Sequence, residues 1–477
     1  MLFNSLEFVY FFLITTILYF VLPFSARWVL LLVSSYFFYM CWGWECGILL
    51  VMQTVVNYAC GLGISGSSSS AWRRAFLAVA VLASLGMLAY YKYLDFLNDS
   101  LRQVLASFGV DYGVSHLAIV LPVGLSFFTF QALGYTIDVY RSRVAAEKHP
   151  GYLALFVAFY PQLLAGPIGR APSLLSQFHG EHHLDIGRLS AGLKMMLWGL
   201  FKKVVVADRL AVYVSMVYGH PTDHSGATLL LATYCFAFQI YCDFSGYSDI
   251  AIGCAHVLGY DLMQNFRLPY LATSISDFWS RWHISLSTWF KDYLYLPLGG
   301  NRVTPRRWTF NIVTVFLVSG LWHGASWTFV VWGAVHGFYY LIGRSTPGFR
   351  SKLKEALGIR GRVAHVLQIL VTFHLVLIAW VFFRARSLGD AVHILGRIAG
   401  DLGGALDLGS SYVATAVTLL LVLILVAVQI LQMRGVLSLY FSRSLVPVPV
   451  RWAGYLALIF AILYLGMSRN AFIYFQF

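Results

Sequence analysis

The sequence predicts an all-α, polytopic membrane protein, one integral-membrane domain over residues 1–477 with about 10–12 transmembrane helices. Three observations predict it. Hydrophobic residues make up 59% of the chain and charged residues only 11%, whereas a soluble domain carries roughly 25% charged residues. Mean hydropathy is +0.72. Uncharged runs recur at 46–72, 75–91, 112–137, 308–343, 408–433 and 452–468, and the long ones exceed the roughly 20 residues that span a bilayer as a helix. The alternating ten-residue strands of a membrane β-barrel are absent from the pattern.

Taken in order, the chain has no Lys or Arg before Arg27. It therefore lacks the basic region of a cleavable signal peptide, and residues 8–24 are expected to stay as the first membrane helix. Arg27 follows that run, Glu45 the second and Arg73 with Arg74 the third. The fourth is followed by Asp95, Asp99 and Asp111 against Arg102, and the fifth by Arg141, Arg143 and Lys148. Basic loops stay cytoplasmic, which places the N-terminus outward. Ser65–Ser70 is a short loop, too brief to link domains. Residues 151–169 hold Pro161, Pro167, Gly166 and Gly169, poor material for a straight helix. Near the end, Arg434, Arg443 and Arg451 precede the last apolar run, which puts 470–477 outward and makes the number of crossings even.

The net charge of +13 reports orientation in such a chain. No basic stretch is interleaved with exposed aromatics, so no nucleic-acid partner is expected. The six cysteines form no CxxC pair, and Cys235, Cys242 and Cys254 lack zinc spacing; no metal site is expected.

Trp308–Gly343 carries no charge, yet basic residues flank it on both sides: Arg267, Arg281, Lys291, Arg302, Arg306 and Arg307 before it, and Arg344, Arg350, Lys352, Lys354, Arg360 and Arg362 after it. Both flanks read as cytoplasmic. A straight helix of that length would span roughly 54 Å against a hydrocarbon core of about 30 Å. The segment is expected to go in and return, bending near Ser319–Gly324, with His323 at the bend beside a cavity, because irregular backbone at membrane depth must be buried in protein or line one. A buried neutral imidazole keeps one nitrogen free to accept a proton, which suits a general base.

The stretch 277–302, DFWSRWHISLSTWFKDYLYLPLGGNR, mixes Trp279, Trp282, Trp289, Tyr293 and Tyr295 with cations. It suits a membrane interface or a cytoplasmic mouth that binds an anionic donor through Arg281, Lys291 and Arg302. Asp243 and Asp249 are six apart and share no helix face, so they are expected to pair with nearby Arg or His. No GxSxG elbow and no HExxH motif is present. Haem ligation is the rival chemistry, but His323 and His336 are out of register on one straight helix, so His374 would have to join one of them. Gly320/Gly324 and Gly333/Gly337 have the small-xxx-small spacing of close helix packing.

AGPIGR (165–170), QIYCDFSGYSDIAIG (239–253), NFRLPY (265–270), the 277–302 stretch, GLWHGASWTFVVWGAVHG (320–337) and FIYFQF (472–477) occur in order over most of the chain. On these motifs the sequence resembles the membrane-bound O-acyltransferase family, in its bacterial branch that O-acetylates exported polysaccharides such as alginate. Ser280 stands where that family commonly has Arg. The resemblance implies re-entrant segments and a ring of helices around a central funnel or tunnel, His323 as the catalytic base and His283 as the second signature histidine. It also implies an acyl thioester such as acetyl-CoA as co-substrate, with no bound cofactor.

It further implies residence in the bacterial inner membrane, a polysaccharide acceptor reached indirectly, and an extracytoplasmic partner of acetyltransferase or esterase type. Because the donor is cytoplasmic and the acceptor lies outside, the acyl group must cross. Tyr474, in the outward 470–477 tail, is a candidate acyl relay as well as a candidate aromatic anchor. The alternative from another class is a polysaccharide or acyl-carrier transporter whose histidines and aspartates relay protons.

Overall fold

A computed structural model describes residues 1–164, 166–356, 358, 360–409, 412–434, 447–467 and 472–473, apart from the side chains of 349–351, 353 and 354. Among these residues the regular structure is helical, with no strand. Six helices are long and apolar enough to cross a membrane: Trp44–Gly66, Ser70–Ser107, Gly226–Val257, Gly361–Arg384, Tyr412–Met433 and Val448–Leu465. Leu6–Val21 and Phe24–Met40 are apolar but shorter, so the first expected helix begins two residues early and stops at Val21. The described chain clusters into two compact units, Met1–Leu193 with Ala251–Met263, and Lys194–Ile250 with Gln264–Phe477.

In the first unit, Ser5 caps the first helix by accepting the Phe8 N–H at 3.2 Å. Polar side chains join Trp44–Gly66, Ser70–Leu88 and Leu125–Tyr140. Gln53 donates to Thr129 Oγ1 at 3.1 Å, Ser84 donates to Gln53 Oε1 at 3.0 Å, and Thr136 donates to Asn57 Oδ1 at 2.7 Å. Such pairs hold helices together where lipid supplies no hydrophobic drive. The proline-rich stretch breaks as expected, into Pro150–Ala158 and Tyr160–Leu163 with Phe159 between them.

The second unit is organised by the uncharged run. It forms two helices, Pro305–His323 and Trp327–Ser345, each of 19 residues, about 28 Å long. Pro at the first helical turn and Ser326, which accepts the Thr328 N–H, start the two limbs. The turn falls at Gly324–Ser326, at the downstream edge of the expected bend, and each limb has nearly the length of a full crossing.

The limbs cross at Gly320 and Gly333. A Cβ on Gly320 would lie 2.3 Å from the Phe329 carbonyl oxygen, and one on Gly333 would lie 2.3 Å from that of Phe316. Nothing larger than glycine fits where the two backbones meet. Gly361–Arg384 and the short helix Ile275–Arg281 pack against the second limb. Gly333→Ala is therefore expected to destabilise the protein by roughly 1–3 kcal/mol through overpacking. Gly343→Ala, with open space around it, should leave it unchanged or slightly more stable. Thermal unfolding in detergent, followed by tryptophan fluorescence, checks the contrast.

Candidate functional site

His323 is the last residue of the first hairpin limb and is buried. Its ring is enclosed by Trp322 at 5.1 Å, Trp332 at 4.9 Å and Phe383 at 5.5 Å, all edge-on. His283 approaches it with ring centroids 6.4 Å apart and packs on Phe244 at 4.6 Å and Trp322 at 5.8 Å. The structure thus brings together two histidines 40 positions apart in sequence, inside one aromatic enclosure. Behind it, Trp282, Trp332 and Trp380 are fully buried. Trp380 donates to Tyr270 Oη at 3.2 Å, and Tyr270 donates to the Ala237 carbonyl at 2.6 Å.

His283 has φ +42° and ψ 57°, the left-handed region, which L side chains enter at a cost of order 1–3 kcal/mol. The surrounding backbone imposes it. Arg267 N–H donates to the Arg281 carbonyl at 2.9 Å and Ile284 N–H to the Asn265 carbonyl at 3.0 Å, so 265–267 runs alongside the joint. Asn265, fully buried, accepts from Ser285 N–H and Oγ at 3.2 and 3.0 Å and donates to Ser248 at 3.3 Å. The NFRLPY stretch is therefore the clamp that aims His283.

His336 lies one limb away from His323, not on the same helix. It is fully buried, with Trp332 between it and His323: centroids are 4.9 Å apart on each side. Phe278 stacks on it at 6.1 Å and Trp279 meets it edge-on at 5.0 Å. Among the described residues neither ring nitrogen of His336 has a hydrogen-bond partner. His374 is committed elsewhere. Its Nδ1 lies 2.7 Å from the Leu370 carbonyl, which can only accept, so Tyr234 Oη at 2.6 Å donates to Nε2. Both ring nitrogens of His374 are thus engaged in hydrogen bonds within the protein.

The candidate donor-binding cations sit at the edge of this unit. Arg281 pairs through Nε with Asp277 Oδ1 at 2.7 Å. Burial would raise the Asp277 carboxyl, but Arg281 and the Thr273 amide hold it below the ordinary carboxylate value. The pair is therefore intact at neutral pH and is lost only as pH falls through that depressed value. Lys291 and Arg302 are exposed. Arg302 follows the Gly299–Gly300 turn, which Asn311 pins by donating to the Leu298 and Gly300 carbonyls at 3.2 Å each.

Asp243 and Asp249 are paired, but with lysines rather than the expected Arg or His. The π-helical segment Phe201–Ala207 projects Lys202 to Asp249 Oδ2 at 2.8 Å and to Ser245 Oγ at 2.8 Å. Lys203 reaches Asp208 Oδ1 at 2.8 Å and Asp243 Oδ1 at 2.5 Å. Reading the sequence missed both lysines and Asp208; the available signal was a Lys-Lys pair inside an apolar stretch. Asp243 Oδ2 also accepts the Ile473 N–H at 2.6 Å. Phe472 rests on Tyr247 at 4.6 Å and on Phe244 at 5.5 Å. Tyr474 lies outside the described residues.

A family model described as MBOAT, the membrane-bound O-acyltransferase family, matches residues 87–383. The probable alginate O-acetylase AlgI of Azotobacter vinelandii is 39% identical, over 82% of this chain and 76% of its own. That of Pseudomonas aeruginosa is 40% identical, over 81% and 73%. The peptidoglycan O-acetyltransferase of Helicobacter pylori is 36% identical, over 85% and 81%.

Two outcomes follow from the geometry. Lys203→Met, which leaves two buried carboxylates facing each other, is expected to cost about 3–5 kcal/mol. Asn265→Ala should cost roughly 1–3 kcal/mol, because it strips partners from buried polar groups. Thermal unfolding of the purified variants measures both.

Proposed function

This chain belongs to the membrane-bound O-acyltransferase family, and from that premise we propose that it moves an acetyl group from a cytoplasmic thioester across the bacterial inner membrane. The destination is O-acetylation of an exported polysaccharide, alginate-like or a cell-wall glycan, as the names of its relatives suggest. Acetyl-CoA is the simplest donor.

The observation that carries the proposal is His323 at the hairpin tip, buried in an aromatic enclosure, with His283 6.4 Å away between ring centroids. In the reaction, His323 accepts the proton of an attacking hydroxyl. The hydroxyl oxygen bonds to the thioester carbonyl carbon, the carbon–sulfur bond breaks, and the thiolate leaves with the proton that the imidazolium returns. The C-terminal end of the first limb lies at His323, and the partial negative charge of a helix C-terminus is available to that transient imidazolium. Aromatic walls exclude water, which strengthens such electrostatic terms and limits hydrolysis of the donor.

His283 is assigned to orienting the reacting groups. Lys291 and Arg302, both exposed, suit the phosphates of a nucleotide thioester. Tyr474 is the candidate relay hydroxyl. The described residues next to it, Phe472 and Ile473, are buried in the same unit as the histidines. Both termini face outward in this reading. An extracytoplasmic partner then places the acetyl group on the polymer.

His323→Ala is expected to lower acetyl transfer by about 10²–10⁴-fold, the range for loss of a general base, while export of the polymer continues. Purified protein incubated with radiolabelled acetyl-CoA, as wild type, His323→Ala and Tyr474→Phe, checks this. Label held by the wild type and lost in both variants supports a relay through Tyr474. Wild-type protein that neither binds nor turns over acetyl-CoA overturns the donor.

A further inference from the structure

We infer that Asp243 is a positioning residue that latches the 472–473 segment beside the histidines, with Lys203 as the cation that holds the carboxylate in place. The inference rests on the acyl-transfer reading above and extends it to how Phe472 and Ile473 are held.

Asp243 sits in the apolar helix Gly226–Val257, only 3% exposed. The helix needs nothing from it, since backbone groups in a helix satisfy one another. Lys203 does not need it either, because Asp208 already lies 2.8 Å from its ammonium. Lys203, Asp208 and Asp243 are all nearly fully buried, so among the described residues one ammonium faces two carboxylates, and the second is surplus to a simple ion pair. A surplus buried carboxylate is destabilising unless its oxygens find donors. One oxygen of Asp243 takes Lys203, and the other takes the main-chain N–H of Ile473, 230 residues away, at 2.6 Å.

The same helix turn supplies the rest of the grip. Phe472 is fully buried against Phe244 and Tyr247. Asp243 and Tyr247 are four apart and share a helix face, and Lys203 lies over the Tyr247 ring at 5.4 Å. Phe244, which touches Phe472, is also the ring against His283 at 4.6 Å. The latch therefore sets the register of the chain at the residue before Tyr474 and ties it to the wall of the histidine enclosure.

Hydrogen–deuterium exchange at the Ile473 amide tests this on the purified full chain, comparing wild type, Asp243→Asn and Asp208→Asn. Both substitutions remove one negative charge from the same lysine, and of the two it is Asp243 that accepts the Ile473 N–H. Asp243→Asn is expected to speed Ile473 exchange by about tenfold, equivalent to about 1.4 kcal/mol, at the low end for a charge-assisted hydrogen bond. Asp208→Asn should keep the amide protected. In Asp243→Asn, acetyl transfer should fall in kcat while the KM for acetyl-CoA is kept.

Equal exchange in wild type and Asp243→Asn overturns the latch, and so does equal loss of protection in both variants, which would reduce the cluster to general support. Faster exchange with unchanged kcat overturns the positioning role. Should Asp243→Asn fail to fold, Phe472→Ala reads the latch from the other side: faster Ile473 exchange supports it, and unchanged exchange overturns it. Wild-type protein without acetyl transfer sinks the functional reading alone, and the exchange comparison still decides the latch.

Discussion

The contact of two glycine backbones at Gly320 and Gly333 governs the second unit. Because no side chain separates the hairpin limbs there, the limbs meet closely enough for His323, three residues past Gly320, to pack directly on Trp332 of the opposite limb. Trp332 then faces Trp380 and Phe383 of the neighbouring helix. A larger residue at either glycine would push the limbs apart and move His323 away from its enclosure. Packing that tight transmits small displacements instead of absorbing them.

A second constraint is charge. A buried ion is costly unless it is paired and hydrogen-bonded, so Lys202, Lys203 and the aspartates they meet depend on one another. The tandem lysines Lys202 and Lys203 meet this requirement because the π-helical turn around them projects both side chains toward the helix Gly226–Val257. The two aspartates they meet, Asp243 and Asp249, belong to the motif stretch 239–253 that also contributes Phe244 to the wall beside His283. Charge compensation and the wall of the histidine enclosure thus share one helix. A change made for electrostatic reasons at Lys203 would be felt by His283 through Phe244.

The strained backbone of His283 fits the same picture. Its left-handed conformation is held by hydrogen bonds from a segment about 20 residues upstream. Such a residue keeps its orientation only while its surroundings over-determine it. Here the surroundings are Asn265, Ser285 and Ser248, all fully or nearly fully buried. The two histidines are therefore fixed independently, one by helix crossing and one by a hydrogen-bonded clamp.

Much of the architecture was legible in the residues themselves. Uncharged runs announced the helices Trp44–Gly66, Ser70–Ser107, Tyr412–Met433 and Val448–Leu465, because apolar length is a local property, but not Gly226–Val257 or Gly361–Arg384, and the run 112–137 is helical only from Leu125 onward. The return of 308–343 was legible because both flanks carry basic residues and the run is too long for one crossing. The motifs pointed to the family, and His323 stood out as a polar residue in an apolar run. Other features were decided only by tertiary structure. The partners of Asp243 and Asp249 lie about 40 residues away, and nothing in their spacing distinguishes Lys from Arg or His. The conformation of His283 depends on Asn265, and the role of Asp243 depends on an amide 230 positions distant. Local sequence determines which segments leave water; the long-range pairing of buried charges and hydrogen-bond donors, which no local pattern encodes, decides how their polar residues are aimed.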